Sequence, residues 1–301
     1  LEPSANIVYD PTNLVLTRGE AMEPAIPEVD GGAIENWSIY PDLPDGLVFD
    51  NGTISGTPTV NMTIANYLIY GNNSGGSSVV GLSITILEPA PTITYQTDYL
   101  VLTRGETMPS ALQAIFGGGA VASFTVNPEL PDGLNFTNGT IFGTPNVNST
   151  LVQYNITALN NGGSDYFLLN ITILEPVAIL DAESTYFELI RSVDYMNLTL
   201  NNTGGMAATW EIEPFLPDGL IFGNGTITGT PTVNASLASY TIWANNTGGS
   251  DSIIINIKIL EPVANISYRR TDFTVVNGQG SLYISPDILG GNPETWEFEP
   301  E

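Results

Sequence analysis

Fifteen of the 28 asparagines in this chain stand in Asn-x-Ser/Thr triplets. They are Asn36, Asn51, Asn61, Asn72, Asn135, Asn138, Asn148, Asn155, Asn170, Asn197, Asn201, Asn224, Asn234, Asn245 and Asn265. The triplet is the acceptor signal for N-linked glycans, which attach to the side-chain amide. The Ser and Thr content alone would give roughly five by chance. Asn155 and Asn170 fall at outward strand positions, where a glycan would meet solvent. The plainer reading is a Thr- and Asn-rich β protein that makes triplets by composition and repetition. Asn51, Asn138 and Asn224 are each followed by glycine and are explained by hairpin chemistry alone. Some N-glycosylation is expected, at fewer than all fifteen positions.

Carboxylates are the second candidate chemistry. There are 32 Asp and Glu against 6 Lys and Arg, a formal net charge of −26. Such a chain is repelled by nucleic acid and by anionic membrane surfaces, and it attracts divalent cations. Glu88, Asp98, Glu175, Glu261 and Asp272 cluster at recurring places, with Glu2 and Asp10 at the equivalent places near the start. They are the candidates for calcium between domains. Calcium takes six to eight oxygens, and no dense Asp-x-Asn-Asp-Asn cluster supplies them. The sequence therefore assembles no definite metal site, and calcium stays a secondary expectation. The recurring Asp45, Asp132 and Asp218 lie in Pro-Asp-Gly, which is ordinary turn chemistry. The recurring Arg18, Arg104 and Arg191 are half of all cationic side chains, and structural ion pairs are expected of them.

Cysteine and histidine are absent. That removes disulfides, thiolate metal sites, Cys and His nucleophiles and Ser-His-Asp triads. Paired carboxylates for glycoside hydrolysis exist in any chain this acidic, but no one pair stands out. The expectation is a protein without enzymatic activity or a resident cofactor.

The elements that carry these residues follow from a repeat. Leu-Pro-Asp-Gly-Leu occurs at 43–47, 130–134 and 216–220, spacings of 87 and 86. Each copy is followed by Asn-Gly-Thr and Gly-Thr-Pro, and each repeat closes on Leu-Glu-Pro at 87–89, 174–176 and 260–262. Trp37, Phe124, Trp210 and Trp296 align, as do Tyr67, Tyr154 and Tyr240. In the closing strand Leu82, Ile84 and Ile86 alternate with Ser83 and Thr85, and the other repeats do the same. Period-2 alternation marks a strand with one buried and one wet face. Seven such runs are read in the first repeat, near 5–9, 13–18, 36–40, 46–49, 52–55, 66–71 and 79–87. Asn-Gly between two of them predicts a type I′ hairpin. About seven strands in about 87 residues is β-sandwich arithmetic. No helical period appears; 108–116 comes nearest and is short. No apolar run approaches the roughly 20 residues of a membrane span.

Leu-Pro-Asp-Gly-Leu, the aromatic, Gly-Thr-Ile-x-Gly-Thr-Pro, Tyr-x-Ile and the Gly-Gly-Ser turn resemble the Ig-like domains of bacterial and archaeal surface proteins. Those domains are similar to cadherin-like domains of the dystroglycan type. The resemblance covers all three full repeats. It implies an all-β tandem array of Ig-like, cadherin-like sandwiches, with modules acting as spacers, stalks and filament bodies. The expected domains are 1–89, 90–176 and 177–262, then an incomplete fourth repeat at 263–301. The fourth copy stops before its own Leu-Pro-Asp-Gly-Leu. Half a sandwich leaves sheet edges unpaired, so continuation of the chain is expected, with strands from a neighbouring subunit as the alternative. Joints lacking a Gly/Ser tract, and restricted by Pro89, Pro176 and Pro262, imply stiffness. The expected role is a structural component of an extracellular filament, appendage or surface layer, whose partners are copies of itself. A cell-surface adhesin stalk is the second reading, and a non-catalytic region of a secreted enzyme the third.

Overall fold

The structure is a computed structural model that describes residues 2–278 and 280–299. The chain falls into two compact units, Leu1–Ile173 and Leu174–Glu301. The first holds two complete repeats; the second holds one complete repeat and the segment that follows it. All regular structure among the described residues is β. None of these residues forms a helix long and apolar enough to cross a membrane.

Repeat 1 sets the pattern with nine strands. They are β1 (Asn6–Val8), β2 (Asn13–Thr17), β3 (Met22–Ala25), β4 (Glu28–Asp30), β5 (Asn36–Tyr40), β6 (Leu47–Asp50), β7 (Thr53–Gly56), β8 (Met62–Asn73) and β9 (Gly76–Leu87). One sheet has the order β2-β9-β8-β5, the other β3-β7-β6, and β1 pairs with β4 as a short ribbon. Repeats 2 and 3 reproduce the same two sheets and ribbon. The seven expected runs are all strands. β3 and β4 are additional: Pro24, Pro27 and exposed acidic residues hide any alternation, and pairing with β7 and β1 imposes the extended state. Segment 108–116 is likewise extended, with strands at Leu112–Gln113 and Ile115–Gly118.

Burial follows the alternation. Leu82, Ile84 and Ile86 are buried, as are Leu169, Ile171, Ile173 and Ile255, Ile257, Ile259. They face the second sheet, where Ile54, Ile141 and Ile227 are also buried, so each repeat closes one core of its own. Tyr67, Tyr154 and Tyr240 are core residues. Trp37 and Trp210 are half-buried and meet Phe49 and Phe222 edge-on, with ring centres 6.5 Å apart in both. Repeat 2 has the smaller Phe124 there, and Phe116 and Phe136 close in on it at 5.6 and 5.8 Å. The Asn-Gly tips are type I′ as expected: Asn51, Asn138 and Asn224 have φ of 47°, 48° and 48°, each followed by a positive-φ glycine.

Two buried phenols are expected to make repeats 1 and 2 alkali-sensitive. Tyr9 Oη donates to the Gly52 carbonyl, and Tyr95 Oη donates to Gly139 O at 2.8 Å. Burial pushes each phenol up to about 12, above the ordinary value of about 10. A raised folded-state pKa gives stability that is complete below about pH 10 and lost as pH rises towards about 12. The denaturation midpoint of repeats 1 and 2 is therefore expected to fall across that window. Tyr95→Phe should shrink the fall in repeat 2 and cost about 1 kcal/mol at neutral pH for the lost hydrogen bond. Urea titrations at stepped pH check this; an unchanged alkaline slope in the variant would refute the assignment.

Candidate functional site

The closing Leu-Glu-Pro of one repeat is the opening segment of the next, and Glu88 in the first unit is held from both sides. Within the first unit, Arg18 grips the Glu88 carboxylate through Nε at 3.1 and 3.2 Å and Nη2 at 2.6 Å. The backbone N–H of Ala120, in repeat 2, donates to the same carboxylate. The Arg18 hydrogen bond is the main reason the Glu88 carboxyl lies below the usual carboxylate range, and desolvation opposes it. The Glu88 N–H donates to Asn161 Oδ1 at 2.9 Å. In the second unit Arg191 holds Glu261 in the equivalent way at 2.6 Å. Arg104 and Glu175 occupy the same repeat positions, and neither lacks a partner.

Repeat by repeat, the same asparagine receives the incoming proline. Asn73 Nδ2 donates to Pro3 O at 3.1 Å, Asn160 Nδ2 to Pro89 O at 2.7 Å, and Asn246 Nδ2 to Pro176 O at 2.7 Å. Their Oδ1 atoms accept from Gly75, Gly162 and Gly248 N–H and so shape the hairpin between the two long strands. A Cβ on those glycines would lie 1.9, 1.7 and 1.9 Å from the carbonyls of Glu2, Glu88 and Glu175. A second glycine set, Gly32, Gly119, Gly205 and Gly291, lies as closely against Pro3, Pro89, Pro176 and Pro262. Sequence reading missed the three asparagines and this second set. Their signal was available: the Gly-Gly pairs at 31–32, 118–119, 204–205 and 290–291 recur at the repeat spacing.

The candidate calcium ligands do not converge. Glu88 and Glu261 are spent on arginines, and Asp98 and Asp272 have exposed side chains. Among the described residues no three acidic side chains form a group that could hold a metal. Asp45, Asp132 and Asp218 serve through their backbone: their carbonyls accept from Thr59, Asn146 and Thr232 N–H at 2.8–2.9 Å.

None of the fifteen triplet asparagines is buried. Nine lie outside the four-stranded sheets: on the three-stranded sheet and its hairpin tip, on the short ribbon strand Asn201–Asn202, and in the segment that leads into the long eighth strand. These are Asn51, Asn61, Asn135, Asn138, Asn148, Asn197, Asn201, Asn224 and Asn234, and all nine are exposed. Asn36, Asn72, Asn155, Asn170 and Asn245 belong to the four-stranded sheet, and all but Asn36 are half-buried. Asn155 and Asn170 thus face outward, as their strand positions imply, but lie among neighbouring side chains. Asn170 donates to Asp98 O and accepts from Gln153 Nε2. Asn265 lies in the strand Asn265–Ser267 and is exposed.

The He_PIG family model, described as "Putative Ig domain", matches residues 5–87, 90–173 and 180–260. This chain belongs to the He_PIG family. Each He_PIG match spans one sandwich with its own core. No curated protein matches the chain. Among solved structures it is similar to the N-terminal eight Ig domains of Down Syndrome Cell Adhesion Molecule, at 13% identity and TM-score 0.38, over 89% of this chain and 43% of that one. An I-band fragment of titin matches at 14% identity and TM-score 0.38, over 86% of this chain and 99% of that one. Drosophila N-cadherin EC1-3 matches at 11% identity and TM-score 0.35, over 82% and 97%. This chain spans less than half the length of the first of these.

Proposed function

We propose that these He_PIG repeats form a tension-bearing structural segment of an extracellular filament, appendage or surface layer and carry out no catalysis. The observation behind this reading is the pairing of the first long strand with the last. β2 runs parallel to β9 over Asn13–Thr17, and Tyr186–Ile190 runs parallel to Gly249–Leu260 in repeat 3. The same strand order recurs in repeat 2. Pulling the ends of a repeat apart drags two parallel neighbours past each other, so the ladder bonds resist together instead of opening one by one. Exposed apolar side chains on the outer face of the four-stranded sheet favour lateral contact between copies: Leu68 and Val79, Tyr166 and Leu168, and Ile254. An acidic surface without histidine or cysteine suits a role that needs solubility and no chemistry.

Single-molecule pulling of the chain from its two ends tests the first element. Three separate unfolding events are expected, each releasing about 250 Å, since some 85 residues extend at roughly 3.4 Å each and the folded repeat already spans part of that. Gradual low-force extension without discrete events would defeat the reading. Sedimentation and electron micrographs test assembly. Discrete particles that never associate would replace the filament with the adhesin-stalk reading.

A further inference from the structure

We propose that the protein is N-glycosylated, and that the glycans sit outside the four-stranded sheet of each repeat, whose outer face stays bare. The inference rests on the extracellular reading above, because the modifying machinery acts on exported chains. Three independent features converge on it.

The first is number: fifteen triplets among 28 asparagines, about three times the chance expectation. The second is exposure. All nine triplet asparagines of the three repeats that lie outside the four-stranded sheets are exposed, whereas four of the five on those sheets are half-buried. The third is what the amides already do. Among the fifteen, only Asn170 and Asn245 donate a side-chain hydrogen bond to the protein. The other asparagines that donate one, Asn73, Asn160, Asn202, Asn246 and Asn256, are not followed by x-Ser/Thr. Asn73, Asn202 and Asn246 each directly follow a triplet asparagine, so composition puts them in the same tracts; the triplet falls on the neighbour whose amide is not needed at the joint.

Asn61, Asn148 and Asn234 are the sharpest positions. They recur at the repeat spacing in the segment before the long eighth strand, all are exposed, and none has a side-chain hydrogen bond to another described residue. Hairpin chemistry explains Asn51, Asn138 and Asn224 but explains nothing about these three. The step is a group transfer from a lipid-linked sugar phosphate. The Asn Nδ2–C1 bond forms, the C1–O bond to phosphate breaks, one amide proton is released, and the lipid phosphate leaves. Asn245 uses its amide on Thr209 Oγ1 and Glu211 Oε1, at 3.4 and 3.1 Å, so a sugar there would displace a partner. Glycans kept off the four-stranded sheet would leave Leu168, Tyr166 and Ile254 uncovered for contact between copies.

The test is intact-glycopeptide mass spectrometry on the protein from the cells that make it, with external protease applied to the same intact cells. Reading whole sugar masses avoids confusion with deamidation at the Asn-Gly tips. Sugar on Asn61, Asn148 or Asn234, with the asparagines of the four-stranded sheet unmodified, is the expected result. Unmodified peptides at all nine exposed positions, or sugar on any of Asn36, Asn72, Asn155, Asn170 and Asn245, would overturn the proposal. If external protease cleaves the protein while those nine are bare, the glycan inference fails and the extracellular reading stands. If the protein is protected and bare, both fail.

Discussion

Replacing Asn160 with alanine is expected to destabilise repeat 2 by about 3 kcal/mol. Asn160 is 7% exposed and is the one buried amide or charged side chain among the described residues. It uses its full capacity of two donors and two acceptors. Nδ2 donates to Pro89 O and Ala120 O at 2.7 and 3.2 Å, and Oδ1 accepts from Gly162 and Gly163 N–H at 2.8 and 3.1 Å. Alanine strands four backbone groups, each worth about 1 kcal/mol, with some relief from water at the end of the domain. Asn160→Asp should be no better, because it loses both donors and sets a carboxylate against two carbonyls. Hydrogen exchange resolved along the chain is the right measurement, since three repeats unfold in one molecule. Amides of Ser149–Asn160 and Gly163–Leu174 should exchange about a hundredfold faster, the factor that 3 kcal/mol implies. Asn161→Ala removes only the bond to Glu88 N–H and serves as the control. Equal effects from the two variants would show that the buried amide is not the keystone of this joint.

A methyl group at Gly133 is expected to do at least as much damage. Its φ is 92°, and an added Cβ would lie 1.9 Å from Thr144 O. Two bonds clasp this turn to the Gly-Thr-Pro segment: Thr144 N–H to Gly133 O at 2.9 Å and Asn146 N–H to Asp132 O at 2.8 Å. Alanine must break that clasp as well as adopt a left-handed backbone, so about 4 kcal/mol is expected. Gly105 separates the two causes. Its φ is 80°, but nothing lies within 4 Å of its missing Cβ. Gly105→Ala should therefore cost only about 1 kcal/mol for the left-handed backbone. Denaturation of both variants gives the comparison, and Gly133→Ala matching Gly105→Ala would sink the clasp explanation. The same contrast applies to Gly46 and Gly219, where the missing Cβ would meet Thr57 and Thr230 carbonyls at 2.0 and 2.2 Å.

Alternation in 82–86 tells which side chains enter the core, because a strand's neighbours two residues apart share a face wherever it packs. Asn51-Gly52 tells the turn type, because only a few residues tolerate two successive left-handed conformations. The ion pairs expected of Arg18 and Arg191 formed with Glu88 and Glu261, the recurring carboxylates at the close of each repeat. The strands β3 and β4 could not be read, since their extended state comes from partners β7 and β1 that are distant in sequence.

The asparagines show the division most clearly. By itself the sequence determined the repeat, the β period, the turn chemistry and fifteen places where a sugar could attach, since each of these is a property of a few consecutive residues. It could not rank those places, nor separate Asn160 from Asn148, because both lie in tracts of the same polar composition. Only the tertiary structure decided that one amide lies between the Pro89 and Ala120 carbonyls and the other in solvent. The physical reason is that a hydrogen bond to a carbonyl some 70 residues away depends on how two sheets and a linker pack, and no local pattern encodes that distance.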